Sequence, residues 1–291
     1  MSEVDPASPV PPSTQCQQAL PLGNSCKLKF TVITVTYNAE HTLERTLESV
    51  ASQTYPCIEH LIVDGLSSDG TLSLIQEYVE DNSINVHPHE IRFIREPDRG
   101  LYDAMNKAIL EAQGDYLVFL NAGDKFHSSD TLQKMVEGLE AGGHLDAEHP
   151  MWPAVLYGET DLVDDEGAFL RHRRLQAPET LTWRSFLGGM LVCHQSFYVR
   201  VDIAREYLYN MRYRFSADFD WCIRIMQDAE ARSLILYNTH QILTDYLSEG
   251  MTTKNQRKSL FERLRIMLHH YGFIPTVAQH LWFVVRHFSL K

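Results

Sequence analysis

The chain has 291 residues, enough for one large domain or two small ones. Hydrophobic residues make up 44% and charged residues 22% of it, which is the composition of an ordinary globular protein with a sizeable core. The formal net charge of −12 argues against a general nucleic-acid-binding protein, because such proteins are usually basic. We therefore expect no nucleic-acid partner.

Residues 1–27 are predicted to form a disordered arm. Five prolines lie among Ser and Gln residues there, a composition that buries little apolar surface. The first 25 residues contain no Lys or Arg and no long apolar run, so we expect no secretory signal. No window of the sequence has the roughly 18 apolar residues of a membrane-spanning helix.

Strands and helices alternate in the next part of the chain. Apolar, β-branched runs predict buried strands, and apolar residues at helical spacing predict the helices between them. The strands are Lys29–Tyr37, Ile58–Val63, Ile91–Ile94 and Asp115–Leu120; the helices open at Asn38, follow the turn Ser67–Gly70, and span Leu101–Ala112. This alternation predicts a parallel sheet covered by helices, with ligands at the carboxyl ends of the strands, where Asp64 and Asp124 lie.

The second half of the sequence is less regular. Ala154–Val163 and Phe169–Arg174 are predicted to pair as strands around an acidic turn. A short strand is expected at Ser196–Val199 and a helix at Ala217–Ala229. From Gln256 onward the apolar spacing predicts two amphipathic helices.

The cysteine and glycine patterns exclude several classes of site. The cysteines number five, an odd count, and include no C-x-x-C pair, so we expect no zinc site and no disulfide framework, and a reducing cytoplasm fits better. Gly65–Thr71 has the glycine spacing of a phosphate loop but carries an acid instead of its lysine. The absence of a G-x-G-x-x-G run argues against a dinucleotide-dependent dehydrogenase.

Carboxylates at two places in the chain point to chemistry. Asp124 follows a buried strand, where Mg²⁺ or Mn²⁺ could hold a diphosphate; a turn-forming role is the alternative. Asp218 and Asp220 lie two residues apart at a predicted helix start, so at most one is expected to face the same pocket. For either, interaction with the helix dipole is the alternative. His194 precedes a strand and is either structural or catalytic.

The C-terminal region contains a polar segment and a basic cluster. Residues 249–254 include a glycine and form either a mobile lid or a simple connection. The basic residues are Lys254, Arg257, Lys258, Arg263 and Arg265. They form either a solvated helix face or a patch that faces anionic lipid or pyrophosphate.

Four segments carry a family resemblance: Thr34–Asn38, Ile62–Thr71, Glu96–Lys107 and Asn121–Asp124, with Ala217–Asp218 as a fifth. In order and spacing they resemble the family 2 glycosyltransferases of the GT-A fold, and especially the branch that builds bacterial exopolysaccharides, O-antigens and colanic-acid-type polymers. The resemblance covers roughly residues 28 to 225. It implies an α/β fold with a Rossmann-like, mostly parallel sheet flanked by helices and a C-terminal helical extension.

The resemblance and the element pattern together predict the domain organisation. A GT-A domain is expected at 28–245, with a nucleotide-sugar-binding half at 28–130 and an acceptor half at 131–245. The N-terminal arm at 1–27 precedes this domain. A lid segment and amphipathic helices are expected to follow it at 246–291.

The resemblance also implies residue roles. Tyr37 would pack on the nucleotide base, and Asp64 would hydrogen-bond the edge of that base. Asp124 would bind the divalent metal, Mn²⁺ or Mg²⁺, and Asp218 would be the catalytic base of an E-D-x-x-L-x-x-R-like pattern. The nucleotide-sugar-binding set is Thr36, Tyr37, Asn38, Asp64, Arg99, Gly100, Asp103, Asn121, Ala122 and Gly123, with His194, Asp220 and Arg257 as further candidates.

Three positions depart from the family pattern. Gly123 stands where many members carry an acid, Asn121 where others have Asp, and Ala217 where Glu is usual. With a single carboxylate left, weaker metal binding is expected. No Q-x-x-R-W motif occurs, which argues against a processive synthase.

The implied reaction is inverting transfer from a nucleotide-sugar donor, with a UDP-sugar favoured, to a saccharide or lipid-linked saccharide of bacterial surface polysaccharides. The protein would be cytoplasmic, with peripheral membrane contact through its basic C-terminal region. Two alternatives remain. A nucleotidyltransferase would need a basic, glycine-rich loop near the first strand, which Tyr37–Glu40 is not. A non-catalytic nucleotide-sugar-binding or scaffold protein is favoured by the departures at Gly123 and Ala217. The oligomeric state is not specified.

Overall fold

A computed structural model describes residues 26–84, 88–146, 151–248 and 256–289. The predicted N-terminal arm, apart from residues 26 and 27, lies outside the described residues, and so does the predicted lid at 249–254. No helix within the described ranges combines the length and the apolar character that crossing a membrane requires.

The described chain alternates strands and helices in its first half and mixes them in its second. The strands are β1 (Phe30–Thr36), β2 (Ile58–Asp64), β3 (Glu90–Arg95), β4 (Tyr116–Phe119), β5 (Lys125–Phe126), β6 (Val155–Val163), β7 (Phe169–His172), β8 (Phe197–Arg200) and β9 (Leu236–Leu247). The α-helices are α1 (Leu43–Ala51), α2 (Thr71–Ile84), α3 (Leu101–Glu111), α4 (Thr131–Ala141), α5 (Val201–Glu206), α6 (Ala217–Ala231), α7 (Gln256–Tyr271) and α8 (Phe273–Ser289). Short 3₁₀-helices span Trp183–Gly188 and His194–Ser196.

The described strands form one nine-stranded sheet in the order β3-β2-β1-β4-β8-β6-β9-β5, with β7 paired to β6. β1 is parallel to β2 and β4, and β2 is parallel to β3, so the predicted parallel half is confirmed. β8 is antiparallel to both β4 and β6, whereas β9 runs parallel to β6. The α/β class is thus confirmed, but the sheet is mixed and not mostly parallel, because its second half contains four antiparallel pairs.

The strand register brings the candidate site residues to one edge of the sheet. All seven residues of β1 are buried, because neighbouring elements cover both of its faces. Thr36 at the end of β1 is the register partner of Asp64 at the end of β2. The chain leaves β4 at the same edge, since β4 is parallel to β1. This shared edge therefore carries the loops that begin after Thr36, Asp64 and Phe119.

Two apolar layers pack on the sheet. On one face, Met105 of α3, Trp221 of α6 and Ile266 of α7 are buried in a shared core. On the other face, Val50 of α1 and Met135 of α4 are buried. The C-terminal helix α7 thus contributes to the main core of the molecule.

The sequence-based prediction missed α4 and β9. α4 buries Leu132, Met135, Val136 and Leu139, which do stand at helical spacing. β9 is a 12-residue strand that is only partly buried. Its pairing with β6 is irregular, and His240 within it has a positive φ of 54°. A bulged strand of this kind has no continuous two-residue alternation for a sequence pattern to show.

The expectation of no disulfide is wrong. Cys26 and Cys57 are paired as a disulfide, with their Cα atoms 6.1 Å apart, while Cys193 and Cys222 are free. The pair joins the segment before β1 to the residue before β2, which are 31 positions apart in sequence. Its partners meet because β1 and β2 are neighbours, and cysteine spacing alone does not reveal this. The inference of a reducing compartment from cysteine usage loses its support.

Candidate active site

A cavity of about 930 Å³ opens at the carboxyl edge of the parallel strands. Its walls come from the loops after β1 and β4, the starts of α3 and α6, and the end of β9. The candidate residues found in its lining are Thr36, Tyr37, Asn38, Gly100, Asn121, Ala122, Asp124, His194 and Asp218. The fold therefore collects residues that are far apart in the sequence into one open site.

The loop after β1 is held in place through Asp64. The fully buried carboxylate of Asp64 accepts hydrogen bonds from the backbone N–H and the hydroxyl of Ser67. The Ser67 hydroxyl oxygen in turn accepts the backbone N–H of Asn38 at 2.9 Å. Next to Asn38, Tyr37 lines the cavity and is 66% exposed. Its ring is therefore free to stack on a planar ligand.

The turn after β4 is clamped by α1. Oγ1 of Thr46 accepts the backbone N–H of Gly123 at 2.9 Å and donates to the carbonyl oxygen of Asp124 at 2.7 Å. Gly123 has a φ of +101°, and a Cβ built there would lie 2.6 Å from Cδ2 of Leu247. The positive φ favours glycine, which accounts for its place in this turn, whereas the end of the Leu247 side chain could shift to admit a Cβ.

Asp124 is a buried carboxylate in the lining of the cavity, 3% exposed. Its Oδ1 accepts the backbone N–H of Leu247, and its Oδ2 accepts the side-chain amide of Gln195, both at 3.0 Å. Burial raises the pKa of Asp124 to about 7, although these two hydrogen bonds act to lower it. Near neutral pH, a proton and a cation therefore compete for this carboxylate.

The surroundings of Asp124 fit a divalent cation that takes most of its ligands from a bound diphosphate and water. Each carboxylate oxygen accepts one hydrogen bond and keeps a further lone pair. Oδ1 of Asn121 and Oγ1 of Thr36 are buried without a hydrogen-bond partner, and both residues line the same cavity. Mg²⁺ and Mn²⁺ favour such oxygen ligands, and Mg²⁺ in particular often takes only one or two protein carboxylates.

Asp218 lies in the first turn of α6 and lines the cavity. Its Oδ1 accepts the hydroxyl of Tyr102 at 3.1 Å, and its Oδ2 lies 3.6 Å from Nδ1 of His194. Burial lowers the pKa of His194, against the opposing effect of Asp218, and burial together with Asp218 raises the pKa of Tyr102. Both neighbours are therefore neutral near pH 7 and leave the carboxylate with free lone pairs.

The short helix that contains His194 contacts both acids. Nε2 of His194 lies 3.3 Å from the side-chain amide nitrogen of Asn121, so Nε2 is the acceptor and Nδ1 carries the proton. That proton faces Asp218. The next residue, Gln195, donates to Asp124. One 3₁₀ turn therefore sets the positions of the two carboxylates relative to each other.

Arginines line the cavity of a protein whose net charge is −12. Arg171 and Arg174 are exposed there, and Arg263 reaches the cavity from α7. Nε of Arg263 is buried without a hydrogen-bond partner. Arg173 instead donates to the backbone carbonyls of Met190 and Leu191. The free guanidinium groups favour an anionic ligand such as a diphosphate.

The comparison with protein families decides the class. A family model described as "Glycosyl transferase family 2" matches residues 31–208, which is more than half of the chain. This chain belongs to glycosyl transferase family 2. The resemblance inferred from the sequence motifs is thus confirmed, and the protein is a glycosyltransferase.

Two curated glycosyltransferases are similar to this chain in sequence. The uncharacterized glycosyltransferase Rv1514c of Mycobacterium tuberculosis is 29% identical over 263 residues, which cover 88% of this chain and 90% of the relative. The putative teichuronic acid biosynthesis glycosyltransferase TuaG of Bacillus subtilis is 39% identical over 161 residues. That match covers 55% of this chain and 58% of TuaG.

Two solved structures share the fold of the glycosyltransferase. S. aureus TarS 1–349 in complex with UDP-GlcNAc gives a TM-score of 0.58 at 16% identity, over 90% of this chain and 73% of that chain. The mannosyltransferase PcManGT from Pyrobaculum calidifontis, in complex with GDP-Man and Mn²⁺, gives a TM-score of 0.57 at 17% identity, over 88% and 70%. At these identities the likeness shows the fold alone, and the expected GT-A fold is confirmed.

Several expected site residues of the glycosyltransferase lie outside the cavity lining: Asp64, Arg99, Asp103, Gly123, Asp220 and Arg257. Asp64 is expected from the sequence to hydrogen-bond a nucleotide base, which stays a prediction; its buried carboxylate accepts two hydrogen bonds from Ser67 and acts on the cavity through that residue. The side chain of Arg99 is 80% exposed and pairs with Asp103 at 2.8 Å. Arg257 is exposed at the start of α7.

Asp220 faces the C-terminal helix α7 instead of the cavity. Its Oδ2 accepts Nε of Arg224 at 2.7 Å, and its Oδ1 lies 2.8 Å from Nε2 of His270. Burial by itself would raise the pKa of Asp220, but His270 and Arg224 outweigh it and the pKa is lowered. Asp220 therefore joins α6 to α7, two residues after Asp218.

The sequence analysis missed four contributors to the cavity of the glycosyltransferase. Tyr102 stands within a family-like motif directly before the chosen residue Asp103, but points to another side of α3. Gln195 is the neighbour of the candidate His194. Arg263 was assigned to a surface cluster. The backbone N–H of Leu247 leaves no signal in a sequence, because any residue except proline supplies one.

Proposed function

We propose that this glycosyltransferase is inverting and transfers a sugar from a nucleotide-sugar donor, with a UDP-sugar favoured, to a saccharide or lipid-linked saccharide. The observation that carries the proposal is one cavity with an exposed aromatic ring, Tyr37, a buried acid, Asp124, and a second acid, Asp218, with free lone pairs. The name of TuaG and the UDP-GlcNAc bound by TarS support a UDP-sugar and the synthesis of a surface polysaccharide.

In this proposal the donor is bound along the edge of the sheet. Tyr37 stacks on the base, and the loop after β1 keeps it in place through Ser67. The diphosphate lies towards Asp124, where the unpartnered oxygen of Asn121 and the guanidinium of Arg263 face the same cavity. A Mn²⁺ or Mg²⁺ ion bound there supplies Lewis-acid neutralisation of the charge that develops on the leaving diphosphate.

The acceptor hydroxyl is activated by Asp218 in this proposal. Asp218 accepts the hydroxyl proton while the acceptor oxygen attacks the anomeric carbon from the face opposite the diphosphate, which inverts that carbon. Tyr102 holds the carboxylate through a hydrogen bond and His194 lies beside it, so little reorganisation is needed when it takes the proton. The cavity is wide enough, at about 930 Å³, for donor and acceptor together.

A donor screen tests the proposal. UDP-, GDP- and dTDP-sugars are supplied with Mn²⁺ or Mg²⁺, and free nucleotide is measured with the wild type, Tyr37→Ala and His41→Ala. Release from a UDP-sugar is expected, with a clearly higher KM in Tyr37→Ala because base stacking contributes about 1–3 kcal/mol. His41→Ala is the matched control, since the side chain of His41 is 90% exposed and the residue lies outside the cavity lining.

The screen separates the alternatives. Release from a GDP- or dTDP-sugar alone would overturn the UDP assignment but keep the transferase. Binding of every donor without turnover, even with a lipid-linked saccharide added, would favour the non-catalytic hypothesis. An equal effect of the two variants would contradict the stacking role of Tyr37.

We also propose that the last two helices contact a membrane that carries the lipid-linked acceptor. Of the 16 exposed large hydrophobic residues in the described ranges, eight lie in α7 and α8. On α8 they include Ile274, 80% exposed, and Trp282, 57% exposed. Arg257, Lys258 and Arg265 are exposed on the adjoining α7. Apolar side chains next to cations suit the surface of an anionic bilayer.

Vesicle sedimentation tests this contact. The double variant Ile274→Glu/Trp282→Glu should bind vesicles that contain phosphatidylglycerol at least about tenfold more weakly, because each buried side chain contributes about 1.5–3 kcal/mol. Ile84→Glu, at an 83% exposed position on α2, is the matched control and should bind as the wild type does. Equal partitioning of the double variant and the wild type would contradict the membrane contact.

A further inference from the structure

A row of polar side chains crosses four neighbouring strands away from the cavity. Asp245 of β9 is in register with Lys125 of β5 on one side and with Asp161 of β6 on the other. Asp161 is in turn in register with His172 of β7. Register partners point to the same face of a sheet. His127, two positions after Lys125, joins this row through a 2.7 Å contact between its Nδ1 and Oδ1 of Asp245.

This row lies on the opposite face of the sheet from the candidate active site. Successive residues of a strand point to opposite faces. Leu162 and Tyr246, which line the cavity, directly follow Asp161 and Asp245 in their strands. The two acids themselves are absent from the cavity lining. The row is therefore separate from the residues that surround Asp124 and Asp218.

The two acids of the row, Asp161 and Asp245, lie next to each other, and a cation between them would relieve their repulsion. Asp161 and Asp245 are direct cross-strand neighbours and are only 3% and 7% exposed. Like charges in this position destabilise a sheet, and burial increases the effect. Lys125, with its Nζ 3.2 Å from Oδ2 of Asp245, offsets one negative charge. A cation bound between the two carboxylates would reduce their repulsion further.

We propose that His127, Asp161 and Asp245 form a second cation site, suited to a divalent transition metal such as Zn²⁺. Ligand atoms of these three residues already lie within 4.8 Å of one another. One imidazole and two carboxylates are a ligand set that Zn²⁺ accepts, and three protein ligands leave a position for water. The imidazole of His127 is partly exposed, with 39% of its side chain accessible, so an ion can enter from solvent.

His172 lies next to this site but is not one of its three proposed ligands. Its Nδ1 lies 2.8 Å from Oδ1 of Asp161, where an N–H donor would orient that carboxylate. Hydrogen bonds of this kind to a ligating group raise metal affinity. His172 is therefore assigned a positioning role, whereas His127 is assigned a direct bond to the ion.

The site lies behind the strand ends that hold Asp124, and this position predicts a structural role for the ion. β5 directly follows Asp124, and β9 ends at Leu247, whose N–H is bound by that same Asp124. An ion bound by His127 and Asp245 would tie these two strands together from behind. Its role would be to fix the strand ends that hold Asp124, and the existence of the site does not depend on the proposed donor or acceptor.

Zn²⁺ binding by the chelator-stripped full chain tests this proposal. Equilibrium dialysis and thermal unfolding are measured with the wild type, Asp124→Asn, His127→Ala, His172→Ala and His240→Asn. Wild type and Asp124→Asn should each bind one Zn²⁺ and unfold at a higher temperature with it. His127→Ala should lose this binding, and His172→Ala should weaken it about tenfold. His240→Asn is the matched control, because His240 is a 62% exposed histidine on β9 and Asn tolerates its positive φ.

Each other outcome overturns the proposal. Absence of tight binding in the wild type would show that the contacts of the two acids with Lys125, His127 and His172 suffice without a metal ion. Loss of binding in Asp124→Asn would assign the ion to the active-site cavity. Binding by His127→Ala equal to that of the wild type, or an equal loss in His240→Asn, would show Zn²⁺ held by surface histidines elsewhere.

Discussion

Replacement of Asp218 by Asn is expected to lower kcat for sugar transfer by about 10²–10⁴-fold and to leave donor affinity close to that of the wild type. Asn has the same shape and keeps an oxygen that can accept the hydroxyl of Tyr102, so the wall of the cavity is preserved. It cannot take up the proton of the acceptor hydroxyl. The loss should therefore appear in kcat and not in the dissociation constant of the donor.

Two measurements check this expectation: steady-state kinetics with a saccharide acceptor, and calorimetric titration with the donor. Asp202→Asn is the matched control, because it makes the same change at a carboxylate that is 59% exposed and outside the cavity lining. The control should keep wild-type kinetics. Turnover by Asp218→Asn close to that of the wild type would remove Asp218 from the role of base.

Asp124→Asn is expected to make the protein more stable near pH 8 in the absence of divalent metal. Burial raises the pKa of Asp124 to about 7, above its ordinary value of 3.8, so the folded state holds a proton that the unfolded state releases. This carboxyl group is therefore most favourable to folding below about pH 4. Its contribution is lost as the pH rises through about 7, by up to about 4 kcal/mol. Asn has no such loss.

Thermal unfolding in EDTA at about pH 5 and about pH 8 measures the effect. The difference between Asp124→Asn and the wild type should be small at the lower pH and should favour the variant at the higher pH. Asp130→Asn is the control of opposite sign, since hydrogen bonds from Lys134 and Ser128 lower the pKa of Asp130. A variant that is less stable than the wild type at both pH values would show that Asp124 stabilises the fold as a carboxylate.

The first half of the fold could be predicted because the burial of each strand and helix is visible in its own pattern of apolar residues. β1 is buried along its whole length, and a parallel strand covered on both faces reads as a continuous apolar run. β9 is different, since it is partly buried and is interrupted at His240, where the backbone leaves the strand conformation. Its assignment depends on its pairing with β6, which is a tertiary contact.

In the candidate site, the sequence identified residues that line the cavity better than it identified which residues contact one another. Asp124 was chosen for its place after a strand, and Asp218, one of two acids at a helix start, through the family resemblance; both line the cavity. Tyr102 meets Asp218 across 116 positions, and Gln195 meets Asp124 across 71, so local pattern gives no information on either pair. The burial of Asp64 was missed for the same reason, because Ser67 and the neighbouring strands cover it.

The hydrogen bond between Asp220 and His270 limits which segments of this chain can be exchanged with those of its relatives. His270 lies in α7, one residue before its end, while Asp220 is in the first turn of α6 beside Asp218. A chimera that exchanges the C-terminal helices alone would leave Asp220 buried opposite a foreign side chain. A transplanted segment that keeps this contact must therefore contain both Asp220 and His270. An exchange designed at the boundary predicted between residues 245 and 246 would separate these two partners.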